Sequence, residues 1–341
     1  IADRRLKVGP GAGVDGGEYC DTDDLSQSVK LFDAFNKSDN SIKKYSFKTV
    51  PLRYKRNVHL DKIRIPKNVF TAVIGSSGSG KSTLCRELIY PALSESDNVI
   101  FFDSKPARGS SSSIVATYLN VFDKVRQYFS KHNKAGLSDS DFSFNSSGAC
   151  NYCHGRGYVD KHVCGVCFGS RFKPEIALFK AEGKSITELL ASDLNDIPLD
   201  GGLYFLNETV QVLQQLSLSH INLGRETTSL SGGELQRLKL AKFIIANKKT
   251  QDKKGYYIIL DEPCSGLDPE SVKHLYQALK VYLRGSTVLV IEHNPHFIYK
   301  CQYLIDMGEA SGVKDKNSIV QGALGEKIFP SLNHLEVLTE A

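Results

Sequence analysis

The sequence predicts an α/β fold, a parallel sheet with flanking helices, interrupted by a largely helical insertion. Three observations lead there. Four compact apolar runs, at residues 69–74, 99–102, 257–260 and 287–291, have strand length without alternation, as strands buried on both faces do. Polar or glycine residues follow each run, and helical spacing follows the first, the alternation that a parallel sheet requires. Between the second and third runs lies a long stretch of different character, from about 106 to 215, rich in serine and holding a cluster of cysteines.

The chain has 341 residues, enough for about two domains. With 41% hydrophobic and 24% charged residues it is not a mostly disordered chain. A net charge of +5 permits an anionic partner without requiring one. No run of 18 apolar residues occurs, so no membrane-spanning helix is expected, which excludes the membrane part of a transporter. The chain opens at Ile1 and its one methionine is Met307, so it is expected to be a piece of a longer protein.

In order along the chain, residues 1–25 open on glycines (Gly9-Pro-Gly-Ala-Gly13, then Gly16 and Gly17). Their layout resembles that of Met307-Gly-Glu-Ala-Ser-Gly, which suggests the tail of an earlier copy of the same unit. Residues 26–50 read as a linker, and 51–105 with 216–341 as the core. A helix is expected from Lys81 and should stop before Pro91. Within the insertion, 106–215, helical spacing appears at 121–129, 183–194 and 209–216.

The chemistry starts at Gly75-Ser76-Ser-Gly78-Ser-Gly80-Lys81-Ser82-Thr83, which fits the phosphate-loop pattern between an apolar strand and a helix. Glycines let the backbone wrap so that its N–H groups face phosphate oxygens at a helix start. Lys81 would reach the β- and γ-phosphates of ATP, and Ser82 would bind Mg²⁺. A glycine-serine linker would match the composition but lacks the strand and helix on either side. The run Tyr256-Tyr-Ile-Ile-Leu-Asp261-Glu262 places two carboxylates at a strand end, Asp261 for Mg²⁺ and Glu262 to polarise an attacking water. In Leu230-Ser231-Gly232-Gly233-Glu234, Ser231 can cap a helix whose N–H groups the glycines leave open to an anion. Leu235, Leu238, Ala241 and Ile245 give that helix a core-facing stripe. Ser265-Gly-Leu-Asp268 follows the carboxylates, and Glu292-His293-Asn294 ends the next strand, where His293 could contact the γ-phosphate.

Half of the eight cysteines, Cys150, Cys153, Cys164 and Cys167, form two Cys-x-x-Cys knuckles ten residues apart. Four thiolates fill a closed tetrahedral Zn²⁺ site, so 148–172 reads as a small zinc module. A redox pair is the alternative, and His154 and His162 are nearby spare ligands. The other four, Cys20, Cys85, Cys264 and Cys301, are scattered, unlike a secreted disulfide framework.

Phosphate loop, signature, paired carboxylates, D-loop and switch histidine, in this order, resemble an ABC-type ATPase. That resemblance implies catalytic roles for Lys81, Glu262 and His293, and nucleotide contacts from Gly75, Ser76, Gly78, Gly80, Ser82, Thr83, Asp261 and Asp268. It also implies that Ser231, Gly232 and Gly233 act on the nucleotide of a second cassette, in the same chain or a homodimer. The knuckles narrow it. With Ala116-Thr-Tyr118, Phe142-Ser-Phe-Asn145, Cys167-Phe-Gly-Ser-Arg171-Phe172 and Leu223-Gly224, the chain resembles the C-terminal half of the UvrA family, damage-sensing ATPases of nucleotide excision repair. The family implies a cytoplasmic, ATP-driven dimer, double-stranded DNA as a partner, and a UvrB-like helicase loaded through a half not in this chain. From 106 to 171, Arg108, Lys124, Arg126, Lys131, Lys134, Arg156, Lys161 and Arg171 outnumber Asp123, Asp139, Asp141 and Asp160, which suits phosphate contacts or a solvated face.

Two departures stand out. Ser104 occupies the place of the family's Q-loop glutamine, which predicts slow turnover, and the spacer between knuckles is short. A divergent branch serving antibiotic self-resistance, an ATP-gated regulator without hydrolysis, and a transporter or translation-factor ATPase are the alternatives.

Overall fold

The computed structural model describes residues 45–52, 62–103, 105, 113–133, 135–247, 255–308, 319–323 and 331–332, and the backbone of 6–8 and 19–21. Ser104, Arg108, Lys134, the glycines at 9–17 and the segment 22–44 lie outside the described residues. The chain divides into two compact units, Ile1–Ser104 with Lys249–Ala341, and Lys105–Lys248.

The first unit is built on a six-stranded sheet of β1 (Phe70–Ile74), β2 (Asn98–Phe102), β3 (Tyr256–Asp261), β4 (Thr287–Ile291), β5 (Tyr303–Asp306) and β6 (Val320–Ala323), in the order β6-β5-β1-β4-β3-β2. All neighbours are parallel except β5 and β6. Every residue of β1 and β4 is buried, which is why these strands read as unbroken apolar runs. The register aligns Asp261 with Ile291, Ile291 with Val73, and Ile74 with Asp306. The strand ends that carry the motifs therefore lie side by side at the carboxyl edge of the sheet, where open α/β sheets bind ligands.

Four elements of this unit differ from what the sequence predicts. Phe47–Pro51, placed mostly in a linker, pairs antiparallel with Lys62–Pro66. The buried Val50, Ile63 and Ile65 of that ribbon join Leu84, Leu88, Ile89, Ile259 and Leu289 in one core. The helix from Lys81 does not stop before Pro91 but runs to Ser94. Over Leu84–Ile89 it widens, and the Tyr90 N–H reaches back five residues to the Cys85 carbonyl. A proline lacks the N–H and crowds the preceding turn, and a widened turn accommodates both. Strands β5 and β6 are not expected from the sequence, because only three apolar residues, Tyr-Leu-Ile, precede Asp306 in β5 and Val-Gln-Gly-Ala in β6 has no apolar run.

In the second unit Phe122–Lys131, Ile186–Ala191 and Asn207–Gln215 are the expected helices, the second shorter than its apolar spacing suggested. Gly183 turns at φ 85°, between the short antiparallel pairs Lys180–Ala181 and Lys184–Ser185. Ser185 then caps the helix in a reciprocal box with Glu188, a Ser-x-x-Glu signal present in the sequence. The signature helix Gly232–Asn247 falls in this unit, whereas the sequence reading counted 216–248 with the core. The segment leading into it is tied to the insertion: the Gly224 N–H donates to the Leu190 carbonyl at 2.7 Å, and the Ala116 N–H to the Leu223 carbonyl at 2.9 Å. Leu235, Leu238 and Ala241 are buried as expected, but Ile244 rather than Ile245 is their fourth partner.

Candidate functional site

The phosphate loop leaves β1 at Gly75, whose φ is 140° and whose hydrogen faces Ser79. A Cβ there would stand 2.7 Å from the Ser79 Oγ and 3.0 Å from the Gly308 carbonyl oxygen, so no larger residue fits. Gly78 and Gly80 also take left-handed backbone, at φ 80° and 96°. The loop is braced from β5: the Ser76 N–H donates to the Gly308 carbonyl at 3.0 Å, and the Gly308 N–H to the Asp306 carboxylate at 2.8 Å. Asp306 is buried and also accepts from the Ser331 N–H and hydroxyl. The sequence reading missed Asp306 because it missed the strand that ends there.

Lys81 donates its amine to the carbonyls of Gly75 at 2.8 Å and Ser76 at 2.7 Å. Burial lowers its pKa, and the carboxylates of Glu262, Asp261 and Asp306 oppose that shift. Lysine, Asp261 and Glu262 thus share one electrostatic field, as the motif spacing required. Ser82 is exposed at the helix start and Thr83 half-buried behind it.

At the end of β3 the Asp261 carboxyl is pushed above its usual range by burial, with the Arg86 guanidinium acting against the shift. Arg86 lies 3.4 Å from Asp261 and 3.2 Å from Asp103, and stacks over the Phe101 ring at 5.0 Å. Neither Arg86 nor Asp103 was singled out from the sequence, since a cation in a phosphate-loop helix carries no local signal. Glu262 has φ 56°, a left-handed value unusual for a side-chain-bearing residue. Its N–H donates to the Ile291 carbonyl, and its carboxylate stands 3.6 Å from the His293 Nε2, beyond hydrogen-bonding distance. Burial, followed by the Lys81 charge, lowers the His293 pKa, so its ring is neutral at pH 7.

Glu292, only 3% exposed, joins the two motif loops. One carboxylate oxygen accepts from the Cys264 N–H at 2.8 Å, and the other from the N–H groups of His293 and Asn294 at 2.8 and 2.9 Å. The histidine and the segment after Glu262 are therefore positioned by one buried carboxylate. Asp268 caps the helix Pro269–Tyr282, accepting from the Glu270 and Ser271 N–H groups and the Ser271 hydroxyl.

In the second unit Ser231 and Glu234 form a capping box: the Ser231 N–H donates to Glu234 at 2.7 Å, and the Glu234 N–H to the Ser231 Oγ at 3.3 Å. Glu234 also meets His220 at 2.7 Å and Arg225 at 3.8 Å. Gly232 is exposed and Gly233 buried.

The sulfurs of Cys150, Cys153, Cys164 and Cys167 lie within 4.8 Å of one another, all buried. Cys150 to Cys164 is 4.0 Å and Cys153 to Cys167 is 3.6 Å, bracketing the edge of about 3.8 Å that a tetrahedron with 2.3 Å zinc–sulfur bonds would have. The Gly157 N–H donates to the Cys153 sulfur. Backbone N–H groups of Cys167 and Val166 lower the Cys164 thiol pKa, against its burial. The donor set fits Zn²⁺. His154 and His162 are exposed and outside the cluster. Of the basic surplus, Lys124, Lys131, Arg156 and Lys161 are exposed. Arg171 is 6% exposed, which corrects the expectation of a solvated or phosphate-facing role for it, while Arg126 is half-buried and pairs with the exposed Asp123.

A nucleotide-binding loop, paired carboxylates and a neutral histidine on one sheet edge define a P-loop ATPase cassette, and the family described as ABC transporter matches residues 58–265. The chain belongs to that family. Within it the resemblance is to UvrA: the chain is 32% identical to UvrABC system protein A of Borreliella burgdorferi over 94% of its own length and 38% of that protein. The values for the Bacillus subtilis protein are the same. The structure of UvrA2 from Deinococcus radiodurans superposes with a TM-score of 0.79 at 26% identity, covering 98% of this chain and 46% of that one. The chain thus spans less than half the length of these relatives. Among the described residues no helix is long and apolar enough to cross a membrane.

Proposed function

We propose that the chain is an ATP-hydrolysing, DNA-binding part of a UvrA-type protein, which senses distorted duplex DNA in nucleotide excision repair. The observation that carries this reading is the presence, in one ABC-type chain, of the phosphate-loop, carboxylate and histidine cluster together with a buried four-cysteine centre in the insertion. The UvrABC names of its relatives supply the repair context.

In this reading the N–H groups of residues 75–83 hold the ATP phosphates, and Lys81 neutralises them. Ser82 and Asp261 would hold Mg²⁺, which supplies charge stabilisation to the phosphates. Glu262, exposed and close to the neutral imidazole of His293, orients the attacking water and takes its proton. His293, held by Glu292, contacts the γ-phosphate, while Asp268 fixes the start of its helix. Ser231, Gly232 and Gly233 present helix N–H groups to the nucleotide of a second cassette. Zn²⁺ on the four cysteines orders the insertion and does no chemistry. A UvrB-like helicase would dock on the part of the protein outside this chain, in the cytoplasm and away from membrane.

The test is binding of the complete protein to duplexes with and without one distorted base pair, across a salt series, before and after zinc removal. Salt-sensitive binding that favours the distorted duplex and weakens without zinc is expected. No binding at low salt, with zinc and ATP present, would overturn the DNA reading and leave an ABC-type ATPase with another partner. Ser104, in place of glutamine, should slow hydrolysis without impairing nucleotide binding. Ser104→Gln should then raise the steady-state rate of phosphate release, and an unchanged rate would sink that part of the proposal.

A further inference from the structure

The side chain of Arg171 is used in an unexpected place. It sits four residues after Cys167, at the exit of the second knuckle, with a left-handed φ of 74°. Its carbonyl accepts the N–H of Cys150, the first residue of the other knuckle, at 3.0 Å. Its Nε donates to the carbonyl of Gly155, two residues past Cys153 of the first knuckle, at 2.7 Å. Gly155 admits no side chain, since a Cβ would lie 1.9 Å from the Phe144 carbonyl oxygen. The guanidinium then stacks on the Phe144 ring at 4.0 Å. Both knuckles therefore fix where this cation points, through backbone contacts that depend on the fold around the four sulfurs.

The cation faces Glu226, at 3.9 Å from its carboxylate. That distance is too long for a hydrogen bond, so the interaction is between charges, with the arginine 7% exposed and the glutamate 32%. Glu226 stands five residues before Ser231. Its carbonyl accepts the Ser229 N–H at 3.1 Å and hydroxyl at 2.8 Å, closing the turn that leads into the signature. Glu226 also bridges to Ile114, and Thr227 donates to the Ser113 carbonyl, so the turn is anchored on one side by insertion backbone. On its other side Glu226 faces the charge of Arg171.

We infer that Arg171 is a positioning residue linking the metal centre to the signature: with zinc on the four cysteines it holds Glu226 and the turn before Ser231 in place, and without zinc it releases them. The inference rests on the zinc reading above and is independent of DNA binding and of hydrolysis. It makes the cassette's capacity to meet a second cassette's nucleotide depend on the metal in the insertion. Loss of the metal would loosen the knuckle backbone, free the guanidinium from Gly155, and leave Glu226 facing an unpositioned cation.

The experiment is hydrogen exchange on the complete protein, read on peptides spanning 226–235, with zinc content measured on each sample. Chelating zinc should speed exchange there by about tenfold, alongside the expected loosening of 148–172. Glu226→Gln, equal in size but uncharged, should produce the same change with zinc retained. Glu226→Asp should restore most of the protection, which a role in packing alone would not explain. In chelated protein Glu226→Gln should add nothing further. If chelation loosens 148–172 and leaves 226–235 unaltered, the inference is overturned. The same holds if Glu226→Gln retains zinc and full protection. Should that variant fail to fold, chelation of the wild-type protein decides the matter alone. A purified protein without zinc would instead overturn the metal reading, and the metal analysis shows this separately.

Discussion

Glu262 occupies backbone that only glycine adopts without cost, at φ 56°, while its carboxylate faces His293. A left-handed residue with a Cβ costs about 1–2 kcal/mol, which indicates that position, rather than stability, dictates a side chain here. Glu262→Gln should keep nucleotide affinity within a few-fold while phosphate release falls by about 10²–10⁴. Glu262→Gly should lose hydrolysis as fully yet unfold at a higher temperature, as calorimetry can show. Glu292 presents the opposite case, a carboxylate whose contacts are all inward. In Glu292→Ala the N–H groups of Cys264, His293 and Asn294 lose their acceptor, and the buried orphan at Cys264 costs about 1–3 kcal/mol. A lowered melting temperature and a fall in kcat larger than any rise in KM are expected. At the signature, Glu234 has its pKa lowered: its burial works against this, but the bonds from His220 and Ser231 outweigh it. A depressed carboxylate contributes stability above its unfolded pKa and loses it as pH falls through the lower folded value. The capping box should thus survive to below the ordinary glutamate range, and a carboxylate NMR titration should place the Glu234 midpoint there. In Ser231→Ala the midpoint should move up.

At the scale of elements, caps and the four-cysteine cluster carry the short pieces that hydrophobic burial alone would leave marginal. The helix Ile186–Ala191 has six residues and relies on Ser185, whose replacement by Ala should cost about 1 kcal/mol in denaturant unfolding. The knuckles make two-residue strands, Tyr158–Val159 against His162–Val163, too short to stand without a staple. Chelation should therefore abolish ordered structure in 148–172 and leave the sheet of the first unit unchanged, a contrast that peptide-resolved exchange can read. Pro91 illustrates how local rules yield at this scale. A proline at that point argues for a helix end, yet the buried Leu84, Leu88, Ile89 and Leu93 hold the helix through it by widening one stretch.

For the whole molecule, the division into two units puts the phosphate-loop motif in one and the signature motif in the other. If the signature acts in trans, a Lys81→Ala protein and a Ser231→Phe protein should each be inactive, and their mixture should recover a fraction of the phosphate-release rate. No recovery, with mixed dimers demonstrated, would favour sites that work within one polypeptide. The four cysteines and the exposed Lys124, Lys131, Arg156 and Lys161 lie in the same unit as the signature. The cysteine cluster, these cations and the signature helix are thus parts of one folded body.

Much of this was legible in the residues. The strands β1 to β4, the phosphate loop, Asp261 and Glu262, Ser231 as a cap, and four cysteines gathered around one point all follow from local patterns: apolar runs, glycine spacing and paired knuckles. Such patterns act over a few residues and survive as sequence. What tertiary structure decided has no local trace. The ribbon at Phe47–Pro51 forms because Val50 meets a core built from residues far along the chain. Asp306 serves the phosphate loop through Gly308, Arg86 meets Asp261 across the sheet edge, and Arg171 turns away from solvent toward Glu226. Each of these pairs is distant in sequence, and a charge reveals its partner only once the backbone has brought the two within a few ångströms.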